Sequence, residues 1–158
     1  SDGYNLTITG DGIVTKEIAR SKGNYQQIRY VNITAATELA KECFLEFSML
    51  RNIFLPERLL SIVDNCFMRC FNLKSLTIPE GVTELKMNTF YRCNSIEEVS
   101  IPCSLEKLYD GEIFYENYVL KKYYDHGDNS FFTTDSTKSY LMSLDKTILY
   151  KGRQIQIK

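Results

Sequence analysis

The chain has 158 residues, of which 44% are apolar and 25% charged, with a formal net charge of -1. That suits one domain with enough apolar side chain for a real core, and it lacks both the basic excess of a nucleic-acid binder and the charge excess of a disordered chain. No apolar run reaches the roughly 18 residues that a membrane-spanning helix needs.

Residues 1–27 read as an N-terminal β cap. Leu6 and Ile8 alternate with Thr7 and Thr9, and Gly10-Asp11-Gly12 turns the chain. Residues 15–27 are polar and are expected to hold a short helix or an irregular connection.

A repeat follows. Residues 50–72 and 73–95 start 23 residues apart, and their apolar positions superimpose without a gap. Leu50 matches Leu73, Ile53 matches Leu76, and Leu55-Pro56 matches Ile78-Pro79. Leu59, Ile62, Phe67 and Cys70 match Val82, Leu85, Phe90 and Cys93. A third copy from Ile96 keeps Val99, Ile101, Pro102, Leu105 and Leu108, then departs at Ile113 and Glu116. A looser copy from Ile28 is one residue short. Four repeats are therefore expected over 28–117, the outer two worn as the ends of a stacked array must be.

Within the Leu73 copy, Leu76 and Ile78 share one side of a strand while Ser75 and Thr77 face the other. Pro79 ends the strand, since it has no N–H to share. Glu80-Gly81 turns the chain, and Val82 and Leu85 give a second inward ridge. Asn88 reads as an N-cap for about one helical turn over residues 89–93, with Phe90 and Cys93 on one face. Such a unit cannot bury its apolar side alone, so stacked copies with parallel strands are the expected outcome. The fold class is an α/β-repeat, right-handed solenoid with a parallel β-sheet, short helical turns and β-rich terminal caps. Residues 118–158 are expected to form the C-terminal cap, with a hairpin in 140–150 around Asp145-Lys146 and a further strand at 154–158.

Five cysteines are present: Cys43, Cys66, Cys70, Cys93 and Cys103. An odd count argues against a disulfide framework. Cys43 and Cys66 share one repeat position, and Cys70 and Cys93 share another. A ladder of reduced core thiols explains this; metal binding by Cys66, Cys70 and Cys93 is the rival, without the paired knuckles or added histidines that zinc sites use. No cofactor is expected. No phosphate loop, nucleophile elbow or metalloprotease motif occurs, and pairing a cysteine with His126 requires an exposed thiol. The chain is expected not to be an enzyme.

The pattern Leu73, Leu76, Ile78, Pro79, Val82, Leu85, Phe90 and Cys93, carried equally well from Leu50, resembles the BspA-type leucine-rich repeat. The segments 6–12 and 141–150 are similar to those that flank the repeats in bacterial members. The resemblance implies a secreted or cell-surface protein, its signal peptide removed upstream of Ser1, that adheres to host proteins or other cells. It implies no shared catalytic residues.

Parallel pairing would set two outward columns: Tyr30, Asn52, Ser75 and Glu98, beside Asn32, Phe54, Thr77 and Ser100. Tyr30 and Phe54 are aromatic on a face that should be wet. Either they anchor a partner, as interface aromatics do, or Phe54 packs beneath a terminal segment or stands as an isolated exposed apolar residue. Tyr109, Tyr115, Tyr118, Tyr123 and Tyr124, with Asp125, His126, Asp128 and Asn129, form a second candidate for a glycan or peptide; an aromatic cap is the alternative. Asp125, Asp128 and Asn129 could suggest calcium, but they do not have EF-hand spacing. Two functions stand: a protein- or glycan-binding adhesion module, or a structural spacer in a larger surface protein.

Overall fold

A computed structural model describes residues 4–102, 104–108, 113, 122–125, 131–133, 147–150 and 153–157; for Glu98, Ile101, Leu108 and the residues from 122 onward it describes the backbone alone. Cys103, the tyrosines at 109, 115 and 118, His126, Asp128, Asn129 and residues 140–146 lie outside the described residues.

Short strands dominate. In β1 (Asn5–Ile8) the even residues Leu6 and Ile8 are buried, and β2 (Gly12–Val14) buries Val14. Helix α1 (Lys16–Ala19) is capped by Thr15, whose Oγ1 accepts the Ile18 N–H at 3.4 Å. A 3-10 turn spans Tyr25–Gln27. The remaining coils give β3 (Tyr30–Ile33), β4 (Ala36–Leu39), β5 (Asn52–Phe54), β6 (Ser61–Ile62), β7 (Ser75–Thr77), β8 (Glu84–Leu85), β9 (Glu98–Ile101) and β10 (Lys107–Leu108). They are followed by β11 (Lys122–Asp125), β12 (Phe131–Thr133), β13 (Thr147–Tyr150) and β14 (Arg153–Ile157).

These strands stack into two parallel ladders, as the alternation requires. One runs β1-β3-β5 and then β7-β9-β11; the other runs β2-β4-β6 and then β8-β10-β14. Antiparallel β12 and β13 end them. The chain is a solenoid of stacked coils with parallel strands. The partner of β13 is β14, with Ile148 opposite Ile155, so this hairpin lies one strand later than the one expected around Asp145-Lys146, whose first arm is outside the described residues.

Neither ladder is continuous. Among the described residues, no strand pairing joins β5 to β7 or β6 to β8. The coils on either side of this seam stay joined along a third side, built from turns. There the N–H groups of Glu42, Phe44 and Glu46 donate to Asp64, Cys66 and Met68 carbonyls at 2.9–3.1 Å. Across the seam, those of Asn65, Phe67 and Arg69 donate likewise to Met87, Thr89 and Tyr91, at 2.8–3.0 Å.

This turn column replaces the helical turn expected over 89–93. Asn88 and Arg92 have φ of 53° and 58°, and their counterparts Asn65, Arg69, Glu42 and Glu46 repeat the left-handed conformation. A left-handed residue interrupts a right-handed helix at each visit, and it turns alternate N–H groups toward the next coil. The Asn88 side chain donates to Asn65 Oδ1 at 3.2 Å instead of capping a helix. Ion pairs Lys16–Glu42 at 3.0 Å and Arg69–Glu46 at 2.8 Å bridge coils in the same column.

The core lies between the ladders and the turns. The buried rings of Phe44, Phe67 and Phe90 stack at 5.7 and 5.6 Å with interplanar angles of 3°. Cys43, Cys66, Cys70 and Cys93 are free and fully buried beside them.

Candidate functional site

Strand alternation fixes which side chains leave the core. Val31 and Ile53 are buried while Tyr30, Asn32 and Phe54 between them point outward, and the same alternation exposes Ser75 and Thr77 around Leu76. Register then sets the columns. Tyr30 lies opposite Asn52 and Asn32 opposite Phe54; across the seam Ser75 lies opposite Glu98 and Thr77 opposite Ser100. Backbone register thus aligns the expected face residues in pairs on each side of the seam, while no strand pairing carries either column across it; the Glu98 side chain is not described.

The columns extend further than the repeat alone indicated. Asn5 and Thr7 precede Tyr30 and Asn32, while Lys122 and Tyr124 follow Glu98 and Ser100. Tyr124, expected in a separate Tyr-rich region, thus holds a register position on the strand face. Asn5 and Thr7 alternate with Leu6 and Ile8, so the signal was in the sequence; the copy is simply too worn for the 23-residue period to find.

Phe54 is 64% exposed and Tyr30 42% exposed. The seam gives Phe54 its setting. A groove of about 690 Å³ opens between β5 and β7, and four expected residues line it: Asn52, Phe54, Ser75 and Thr77. Tyr30 and Asn32 stand one coil away. Leu55, Glu57, Pro79 and Glu80, from the loops that follow the two strands, line it as well. Sequence reasoning missed these four because the groove follows from a break in strand pairing, which the residue pattern does not encode. Its floor comes from Ile53 and Leu76, which are largely buried.

The groove offers shape, an aromatic surface, short polar side chains and two carboxylates, which suits binding more than chemistry. Cys66 and Cys70 are poor nucleophiles. Burial pushes the Cys66 and Cys70 thiols well above the usual range, and the neighbouring Cys43 and Cys93 thiols push them further. Cys70 Sγ donates to the Phe44 carbonyl at 3.1 Å and Cys93 Sγ to the Phe67 carbonyl at 2.9 Å, so both thiols have structural partners. No helix among the described residues is long and apolar enough to cross a membrane.

A family model, the BspA type leucine rich repeat region, matches residues 16–136 in 6 copies. Four repeats were expected over 28–117; the matched range continues past 117, and β11 beyond that point still occupies the strand column. No curated protein matches the chain by sequence. Among solved structures, a leucine rich cell surface protein from Faecalibacterium prausnitzii is similar at TM-score 0.61 and 16% identity, over 85% of this chain and 52% of that one. A leucine-rich repeat protein from Eubacterium ventriosum is similar at 0.57 and 20%, over 82% of this chain and 41% of that one. The T. pallidum leucine rich repeat protein is similar at 0.57 and 14%, over 80% of this chain and 72% of that one. At these identities the likeness is one of fold. The chain spans about half the length, or less, of the first two.

Proposed function

The chain belongs to the BspA-type leucine-rich-repeat family, and from that premise we propose that it is a non-catalytic binding module, secreted or displayed on a bacterial surface, that engages a partner protein through its strand face. The terminal segments 1–27 and 118–158 serve as caps in this reading. Tyr30, Asn32, Asn52, Phe54, Ser75, Thr77, Glu98 and Ser100 are the proposed contact residues. The observation that carries the proposal is Phe54: an aromatic side chain 64% exposed at the edge of a groove, on a face where Tyr30 is the other exposed aromatic among the described proposed contact residues. Exposed aromatics with a neighbouring concavity supply the anchors of most interfaces. The cell-surface description of the Faecalibacterium prausnitzii neighbour supports the location.

The test is surface plasmon resonance of the purified protein against immobilised extracellular-matrix proteins and glycans, with Phe54→Ser and Tyr30→Ser variants checked by circular dichroism. Saturable binding weakened about tenfold or more by Phe54→Ser, a loss of about 1.4 kcal/mol, is the expected result. Equal binding by parent and both variants would remove the strand face from the interface. No binding to any surface would favour the spacer reading.

A further inference from the structure

The strand face has a charged margin that its own chain does not neutralise. Immediately before β3, β5 and β7 stand Arg29, Arg51 and Lys74, followed before β9 by Glu97. Main-chain hydrogen bonds stack these four positions without a break. The Arg51 N–H donates to the Arg29 carbonyl at 2.8 Å, the Lys74 N–H to the Arg51 carbonyl at 3.1 Å and the Glu97 N–H to the Lys74 carbonyl at 2.9 Å. This column therefore crosses the seam, in steps of about 4.8 Å, the spacing of neighbouring strands.

Three cations in succession at that spacing repel one another, as like charges on neighbouring strands do. Nothing adjacent in the chain offsets them. Residues 26–32, 48–54 and 71–77, which carry the three cations and the outward strand positions beside them, contain no Asp or Glu. None of the three forms an ion pair with a described residue; the ion pairs join Lys16 to Glu42, Arg58 to Asp11, Arg69 to Glu46 and Lys86 to Glu84. Arg51 and Lys74 are exposed. The Arg29 guanidinium lies 4.5 Å from the centre of the Tyr4 ring, which holds it in place without neutralising it. The whole chain has a formal net charge of -1, so this positive excess is local. The exposed ring of Tyr30 stands next to Arg29 in the chain, and that of Phe54 three residues beyond Arg51.

Resting on the strand-face function above, we propose that this column receives an acidic segment of the partner protein, laid across the coils, with carboxylates on Arg29, Arg51 and Lys74 and an apolar side chain against the exposed aromatics. Alternate residues of an extended chain share a face about 6.6 Å apart, and two steps of the column span about 9.6 Å. Carboxylates on two or three alternate residues are therefore within reach of these long side chains. A guanidinium presents paired N–H donors that match a planar carboxylate, and arginine clusters are a recurring answer to acidic motifs. Binding also relieves the repulsion within the column. Glu97 sets its end: an acidic segment is attracted as far as Lys74 and repelled one coil later.

The probes are rhodamine-labelled peptides of sequence Phe-Thr-Asp-Thr-Asp-Thr-Asp, a matched version with Asn in place of every Asp, and a sulfated oligosaccharide of equal charge, all read by fluorescence anisotropy. The parent protein should bind the Asp peptide about tenfold tighter or more than the Asn peptide, with the difference falling as salt is raised. Arg51→Gln/Lys74→Gln should abolish that preference while leaving the circular dichroism spectrum unchanged. Lys41→Gln/Lys107→Gln, which removes the same charge away from the column, should keep it. Equal binding of the Asp and Asn peptides, a preference lost alike in both double variants, or no binding at about 1 mM would overturn the proposal. Tighter binding of the oligosaccharide than of the Asp peptide would overturn it too, by giving the column to a glycan. If the matrix-protein binding depends on Phe54 but no Asp preference appears, the strand-face function stands and the acidic occupant falls.

Discussion

A thiol buried in an apolar core keeps its proton, because the thiolate would lose its hydration without gaining a counter-charge. Cys66 and Cys70 are in that position, and burial raises both well above the ordinary thiol range. Their places were legible from spacing: cysteines at repeated positions, beside residues that must face inward, had to be core residues. What each thiol bonds to was not legible, because Cys70 and Cys93 reach carbonyls 26 residues back, one repeat plus three residues. The expected outcome is that a chromogenic disulfide reagent leaves Cys43, Cys66, Cys70 and Cys93 unmodified in the native protein and labels all four in denaturant, with mass mapping to assign the sites. Fast native labelling of Cys66 or Cys70 would contradict the buried ladder. Glu42 shows the opposite shift: the hydrogen bond from Lys16 lowers its pKa against a smaller opposing effect of burial. A depressed carboxylate adds stability above its ordinary range and loses it as pH falls through the depressed value. Both side chains are about one-third exposed, 34% and 31%, so solvent keeps the gain small. Lys16→Met should raise the Glu42 midpoint in an NMR titration and flatten the acid limb of the stability curve; an unmoved midpoint would show that the pair does not form in solution.

At the scale of the element, the turn column is where the residue pattern and the structure part. Phe90 and Cys93 sit three apart, a spacing shared by a helical turn and by the i to i+3 turns found here, such as Tyr91 N to Asn88 O at 3.1 Å. Periodicity cannot separate the two, whereas inter-coil hydrogen bonding does: a helix would turn its N–H groups inward along its own axis, and the left-handed residues aim them at the next coil. The strands were legible because alternation and proline both mark them. Phe67 ties the column to the core, its ring stacked between Phe44 and Phe90. Phe67→Ala removes a fully buried ring from the middle of the stack and should cost about 3–5 kcal/mol, read as a lowered midpoint in urea; a cost under about 1 kcal/mol would mean the cavity collapses freely. Gly81 tests the seam side. Its φ is 100°, and a Cβ there would stand 3.1 Å from Leu60 Cδ2. Gly81→Ala should therefore destabilise by more than the roughly 1 kcal/mol that a compatible site would gain.

The whole molecule is a stack whose columns follow from a period close to 23 residues. A step of 22 residues from Tyr30 to Asn52 and of 23 from Ser75 to Glu98 returns each outward position to the same place on the paired coil, which is why the face residues are legible as columns in the sequence. The groove could not be placed, because it depends on how two particular coils meet: both ladders stop at the same boundary while the turn column and the phenylalanine stack run through it. A solenoid joined along the turn column, and on the β5 side by the Lys74 N–H donating to the Arg51 carbonyl at 3.1 Å, resists opening least where the strands themselves are unpaired, and amide exchange reads that directly. Phe54, Thr77 and Ser100 hold equivalent strand positions in successive coils; Phe54 and Ser100 lie on strands paired to the coil before them, and Thr77 does not. The Thr77 amide should exchange about tenfold faster or more than those of Phe54 and Ser100, a difference of about 1.4 kcal/mol in local opening. Equal protection at all three would mean the ladder closes across the seam in solution.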